Sequence, residues 1–99
     1  MFDMLGQLGD LQKRAEETKK RLDAITVIGE AEGVKATLTG NRKVVNVELP
    51  EELIKNGDKE QLEDLITIAV NRALEQAENV NEAETAAAYK DLLRPGMGL

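Results

Sequence analysis

The stretch Ile25–Pro50, ITVIGEAEGVKATLTGNRKVVNVELP, decides how this chain folds. Val34, Ala36 and Leu38 alternate with Lys35, Thr37 and Thr39, the two-residue period of a half-buried strand. Val45, Val47 and Leu49 alternate with Val44, Asn46 and Glu48 in the same way. Gly40-Asn41 stands between these runs, and positive φ comes cheaply there, so a two-residue hairpin turn is expected. Glu32-Gly33 offers a second turn, with Gly33 taking the unusual backbone angle. The segment therefore reads as three short antiparallel strands.

These turns imply a register. Counting outward from Gly40-Asn41 sets Thr39 opposite Arg42, Leu38 opposite Lys43, Thr37 opposite Val44 and Ala36 opposite Val45. Counting outward from Glu32-Gly33 sets Ala31 opposite Val34, Glu30 opposite Lys35 and Ile28 opposite Thr37. One face then carries Val27, Ala31, Val34, Ala36, Leu38, Val45, Val47 and Leu49, and it must be covered. The other carries Glu30, Lys35, Thr37, Thr39, Arg42, Asn46 and Glu48. Ile28 and Val44 sit on this polar face with Thr37 between them, an apolar spot that suits a partner.

The chain before Ile25 reads as a helix. Met4, Leu8, Leu11, Ala15, Thr18, Leu22 and Ile25 recur at alternating spacings of four and three, the stripe of a helix packing on another helix. At about 100° per residue, Lys13 and Lys20 lie opposite that stripe, with Arg14 and Arg21 beside them. Asp10–Arg14, Glu16–Lys20 and Glu17–Arg21 have the acid first at i,i+4, the favoured order for local pairs. Two readings of this side stay open: a solvated, salt-bridged helix face, or a strip facing phosphates.

After the strands, Pro50-Glu51-Glu52-Leu53-Ile54 reads as one helical turn with Pro at a permitted start. Asn56-Gly57-Asp58 breaks it. Asp58 and Gln61 form a capping-box pattern. Leu62, Leu65, Ile66, Ala69, Val70, Ala73, Ala77 and Val80 then recur at helical spacing, making an amphipathic helix that suits the apolar face of the sheet. Ile68 and Leu74 fall off that stripe. The helix could end near Asn79-Val80-Asn81 or run on through Tyr89 to Leu93; Ala86-Ala87-Ala88 favours the long helix, with Asn79 as the place for a bend. Arg94–Leu99 reads as a mobile tail. The whole chain, residues 1–99, is expected to form one α+β domain.

Composition removes several function classes. The 99 residues contain no Cys, no His and no Trp. Nucleophilic cysteine, Cys/His metal sites and the usual general base are thereby absent. One Phe and one Tyr supply almost no base-stacking platform. No apolar run approaches the roughly 20 residues that span a bilayer. The amino terminus MFDMLGQLGD lacks a basic leader, so a cytosolic protein is expected. Gly6 and Gly9 match no nucleotide-binding fingerprint. Glu63 and Asp64 point in different directions on a helix. No catalytic constellation, metal site or cofactor site is indicated.

The formal net charge is -6, unevenly spread. Residues 1–43 hold eight Lys/Arg against seven Asp/Glu, and residues 44–99 hold five against twelve. An acidic whole argues against strong non-specific nucleic-acid binding, but local patches can still bind, and the basic groups concentrate in the first half.

The ordered set of segments resembles the YbaB/EbfC family of bacterial nucleoid-associated proteins along nearly the whole chain. The resemblance is carried by Met1-Phe2 with the Leu/Gly/Gln segment and the Lys/Glu-rich first helix. Val27-Ile28-Gly29-Glu30 and Gly33-Val34-Lys35-Ala36-Thr37 with Gly40 follow. Val44-Val45-Asn46-Val47-Glu48, Leu62-Glu63-Asp64-Leu65 with Ala69, Asn71 and Ala73, and the Arg94–Leu99 ending complete it. The resemblance implies a homodimer with protruding helical arms that binds double-stranded DNA in the cytoplasm, at the nucleoid, and shapes the nucleoid or affects transcription. It implies no cofactor and no reaction.

That family supplies no fixed set of contact residues, so the DNA-binding candidates come from the charge map. They are Lys13, Arg14, Lys20 and Arg21, then Lys19, then Lys35, Arg42 and Lys43. Lys43 is expected on the covered face, at the hairpin end where it can extend to solvent. Dimer-interface candidates are Ile28, Val44, Ile68 and Leu74, the apolar positions left over. The competing reading is a small acidic interaction module that docks on a replication or recombination protein.

Overall fold

The computed structural model describes residues 2–90, with side chains from Gly6 onward. Its elements are α1 (Phe2–Ala24), β1 (Thr26–Ala31), β2 (Val34–Thr39), β3 (Val44–Glu48), α2 (Glu51–Asn56) and α3 (Lys59–Ala88). The sheet is antiparallel in the order β1-β2-β3. This is the expected α+β arrangement: helix, meander, short helix, long helix.

The first hairpin follows the sequence-based register: Ala31 pairs with Val34, Glu30 with Lys35 and Ile28 with Thr37. Its turn residues Glu32 (φ 46) and Gly33 (φ 90) both take positive φ, whose twist matches that of the flanking strands. The second hairpin does not. The Thr39 amide bonds to the Lys43 carbonyl at 2.8 Å and the Arg42 amide to the Thr39 carbonyl at 2.9 Å, so the loop is Gly40, Asn41 and Arg42. Arg42 (φ 68) takes the left-handed angle, the pattern of a three-residue loop closed by a bulge. The Thr39 hydroxyl accepts from the amides of Asn41 and Lys43, which favours the longer loop over a two-residue turn.

The pairing with β3 is displaced accordingly. Leu38 faces Val44, not Lys43; a further irregularity after Thr37 sets Thr37 opposite Asn46 and Ala36 opposite Val47. Thr37 therefore lies between Ile28 and Asn46, not between Ile28 and Val44. Past this bulge the displacement totals two residues, and a shift of two restores each side chain to its expected face.

The apolar face is covered only in part. Ala31, Val34, Ala36 and Leu38 are buried with Leu65, Ala69 and Ala73 of α3. α3 lies across β1 and β2, and every residue of β3 is exposed. Val45 (58%) and Val47 (38%) remain open to solvent, against the expectation that α3 would cover them. The cause is the small-residue stripe Ala69, Ala73, Ala77, which brings α3 down onto β1. A Cβ at Gly29 would overlap the Ala69 carbonyl oxygen and the Ala73 backbone nitrogen. A helix this close to β1 cannot also reach β3.

The helix ends follow local chemistry. Pro50 (φ -66) precedes α2, and Gly57 (φ 67) closes it. The Asp58 side chain caps α3 by accepting from the Gln61 amide at 3.0 Å. α3 runs as an α-helix through Asn79 to Ala88, with Tyr89 at its end. The expected continuation to Leu93 and the Arg94–Leu99 tail lie outside the described residues. So do Met1 and the side chains of residues 2–5, Met4 among them.

α1 packs along the carboxyl-terminal part of α3, antiparallel to it: Arg21 meets Glu84 and Arg14 meets Ala88. Of its apolar stripe, Thr18 and Leu22 are buried, Leu11 and Ile25 are half-buried, and Leu8 and Ala15 are exposed. The molecule is elongated, 66 × 22 × 17 Å. No helix among the described residues is long and apolar enough to cross a membrane.

Candidate nucleic-acid interface

The candidate cations divide by what their neighbours do with them. Lys13 and Lys20 are exposed. Seven residues separate them, which places them within about 20° on the helix and about 10 Å apart along it. They form the outward crest of α1, opposite buried Thr18 and Leu22.

On one flank of that crest, the two arginines turn towards α3. Arg14 is half-buried and donates from Nη1 to the Ala88 carbonyl at 3.2 Å. This answers one of the open carbonyls at the end of α3. Arg21 donates from Nε to Glu84 Oε1 at 3.1 Å and from Nη2 to Thr18 Oγ1 at 3.4 Å. The Thr18 hydroxyl in turn donates to the Arg14 carbonyl at 2.7 Å, so a buried polar side chain is fully partnered. Arg21–Glu84 and the exposed Lys59–Glu63 pair are the ion pairs among the described residues.

On the other flank, the β2–β3 loop is fastened to the helix. The Gly40 amide donates to the carbonyls of Leu22 at 3.0 Å and Ile25 at 2.9 Å. Asn41 Nδ2 donates to the Lys19 carbonyl at 3.0 Å and to Asp23 Oδ1. Asn81 Nδ2, from α3, donates to the Gly40 carbonyl at 3.2 Å. Arg42 and Lys43, at the outer side of this loop, are exposed, as is Lys19. Lys43 therefore reaches solvent. Lys35 is exposed on β2 with Glu30 and Glu48 as its register neighbours, so its charge is outnumbered locally and stands apart from the others.

Sequence reading missed three residues that organise this region. Asn41 reads as a turn residue, and nothing local says that its amide ties two elements together. Glu84 carries a signal: it lies seven residues after buried Ala77, on the packed stripe of α3, where a carboxylate calls for a cationic partner. Asn81 sits in a helix-interior position that asparagine fills poorly, and its side chain is spent on the loop.

The apolar interface candidates are also placed. Ile28 (58%), Val44 (55%) and Ile68 (41%) are exposed. Leu74 is half-buried and packs against the core. Val45, Val47 and Leu49 add to the exposed apolar surface around β3.

Comparison with known proteins agrees with this architecture. The YbaB/EbfC DNA-binding family matches residues 1–92. A nucleoid-associated protein of Flavobacterium johnsoniae is 41% identical over 98% of this chain and 93% of its own length. One from Chlorobium phaeobacteroides is 36% identical over 92% of this chain and 82% of its own. One from Streptococcus pneumoniae is 34% identical over 88% of this chain and 90% of its own. The chain belongs to the YbaB/EbfC DNA-binding family.

Proposed function

We propose that the protein is a nucleoid-associated homodimer that grips duplex DNA through phosphates, with the crest of α1 as its principal contact. The carrying observation is the aligned, exposed pair Lys13 and Lys20 on a chain whose remaining half is acidic. Lysines on a rigid helix, without a carboxylate partner among the described residues, release counterions when they meet phosphates, and that release supplies the sequence-independent part of DNA affinity. Arg14 lies beside them and joins the contact when phosphate competes with the Ala88 carbonyl for its donor, while Arg21 lies there held by Glu84. The residues bind without altering covalent bonds, so the proposed role is architectural or regulatory, at the nucleoid in the cytoplasm.

The dimer is assigned to the exposed apolar surface around β3, with Val45 and Val47 on the side of the sheet that α3 packs against and Ile28 on the other. Ile28, Val44, Val45, Val47 and Ile68 are exposed apolar side chains. A chain of 99 residues gains much by burying them, because small domains hide a smaller share of their surface. Leu74 contributes from the rim of the core.

The test is duplex binding in a salt series. Affinity should fall steeply as salt rises, and replacing Lys13 or Lys20 with Ala should lower the slope by about one unit each. Replacing Lys13, Arg14, Lys20 and Arg21 together should abolish binding near physiological salt. Binding that is absent at low salt, or unchanged in that fourfold variant, overturns the proposal.

A further inference from the structure

We propose that the β2–β3 loop is a second phosphate contact of the DNA surface, and that Asn41 holds it at a fixed offset from α1. This rests on the DNA-binding reading above.

Three observations converge on the loop. The first is its fastening. Gly40 is buried against Leu22, where a Cβ would come 2.8 Å from Leu22 Cδ2. Backbone and side-chain hydrogen bonds from Gly40, Asn41 and Asn81 tie the loop to α1 and α3 together. An exposed hairpin tip with no task needs no such anchorage, since loop ends are ordinarily the mobile part of a fold.

The second observation is the residue at the left-handed position. Arg42 adopts φ 68, an angle that Gly or Asn takes at less cost. Backbone strain of this kind collects at functional sites. A cation kept where glycine would fit better points to a use for its charge.

The third is the charge arrangement. Arg42 and Lys43 are adjacent and exposed, and neither belongs to an ion pair among the described residues. Asn41 Nδ2 bonds the carbonyl of Lys19 itself, so the loop cations stand beside the α1 cations in space. It also occupies an oxygen of Asp23, a carboxylate on that side of α1. Lys19 then bridges the helix crest at Lys20 to the loop at Arg42 and Lys43. A duplex lying on the crest meets the loop next, and a contact whose spacing is preset loses less freedom on binding. Asn41 touches no DNA in this scheme; it is a positioning residue.

The experiment is anisotropy of a labelled duplex titrated with the full chain across a salt series, with thermal melting of each variant. Arg42→Gly removes the charge and relieves the backbone, so it should melt no lower than wild type. Lys43→Ala keeps both backbone bonds of Lys43. Each should weaken binding several-fold and lower the salt slope by about one unit. Asn41→Ala keeps every charge. It should weaken binding several-fold in the wild-type background, but not in the Arg42→Gly, Lys43→Ala double variant. Such non-additivity is the mark of residues acting through one another. Loop variants that bind like wild type, while Lys13→Ala and Lys20→Ala bind less well, overturn the loop contact and leave the α1 reading standing. An equal loss from Asn41→Ala in both backgrounds overturns the positioning role. A wild-type chain that ignores duplex at low salt overturns both readings.

Discussion

Gly29 shows how one missing side chain sets the architecture. β1 and α3 approach until the strand backbone lies against the helix backbone, because Gly29 meets Ala69 and Ala73 with nothing between. Ala at this position would collide with backbone atoms, which cannot rotate away as a side chain can. We expect Gly29→Ala to destabilise the fold by about 3 kcal/mol, the upper part of the usual range for overpacking. A denaturant titration checks it: the midpoint should fall while the slope stays near that of wild type. Gly40→Ala should cost less, since its first contact is the Leu22 side chain. A Gly29→Ala midpoint equal to wild type would mean that α3 does not ride this low on the sheet.

Among the elements, β3 has the most to gain from a partner. It is the edge strand of the sheet, and its side chains Val44, Val45 and Val47 are exposed. Exposed apolar edges invite pairing unless charge blocks them. We expect the wild-type protein to scatter light as a dimer at micromolar concentration, and Val45→Lys with Val47→Lys to give a monomer that keeps its helical circular dichroism. A monomeric wild type, or a double variant still at dimer mass, rejects this interface. The element order, the first hairpin and its register were legible in the sequence because alternation and Glu32-Gly33 are local signals. The second hairpin was not, since Arg42 took an angle expected of glycine and the Thr39 hydroxyl favoured a longer loop. Alternation in β3 revealed its faces but not which helix covers them; that depends on the depth to which alanines let α3 sink. The outward direction of Lys13 and Lys20 follows from helical period alone. The engagement of Arg14 and Arg21 follows from how α1 is set against α3, and only Glu84 hinted at it.

For the molecule as a whole, the question is how a chain of net charge -6 presents itself to a polyanion. Seven of its thirteen basic groups lie on α1 and the β2–β3 loop, and twelve of its nineteen acids lie beyond residue 43. An approach along α1, where five acids stand against five bases, keeps the duplex off the strongly acidic second half. At salt near physiological strength, screening over about 8 Å limits the influence of the far acids. Glu84 is the exception, because it holds Arg21 at 3.1 Å on the flank of the proposed DNA surface. Its pair is partly exposed, with side-chain exposures of 49% for Arg21 and 31% for Glu84, so it should add no more than about 1 kcal/mol to stability. Glu84→Gln removes a negative charge beside the duplex and releases a guanidinium suited to bidentate phosphate contact. We expect this variant to bind duplex several-fold more tightly at low salt, with a salt slope larger by about one unit, and to melt close to wild type. Arg21→Ala in the Glu84→Gln background should return the slope to its original value, because the released cation is then missing. If Glu84→Gln binds no better than wild type, Arg21 serves the α1–α3 contact alone, and the DNA surface narrows to the lysine crest and the loop.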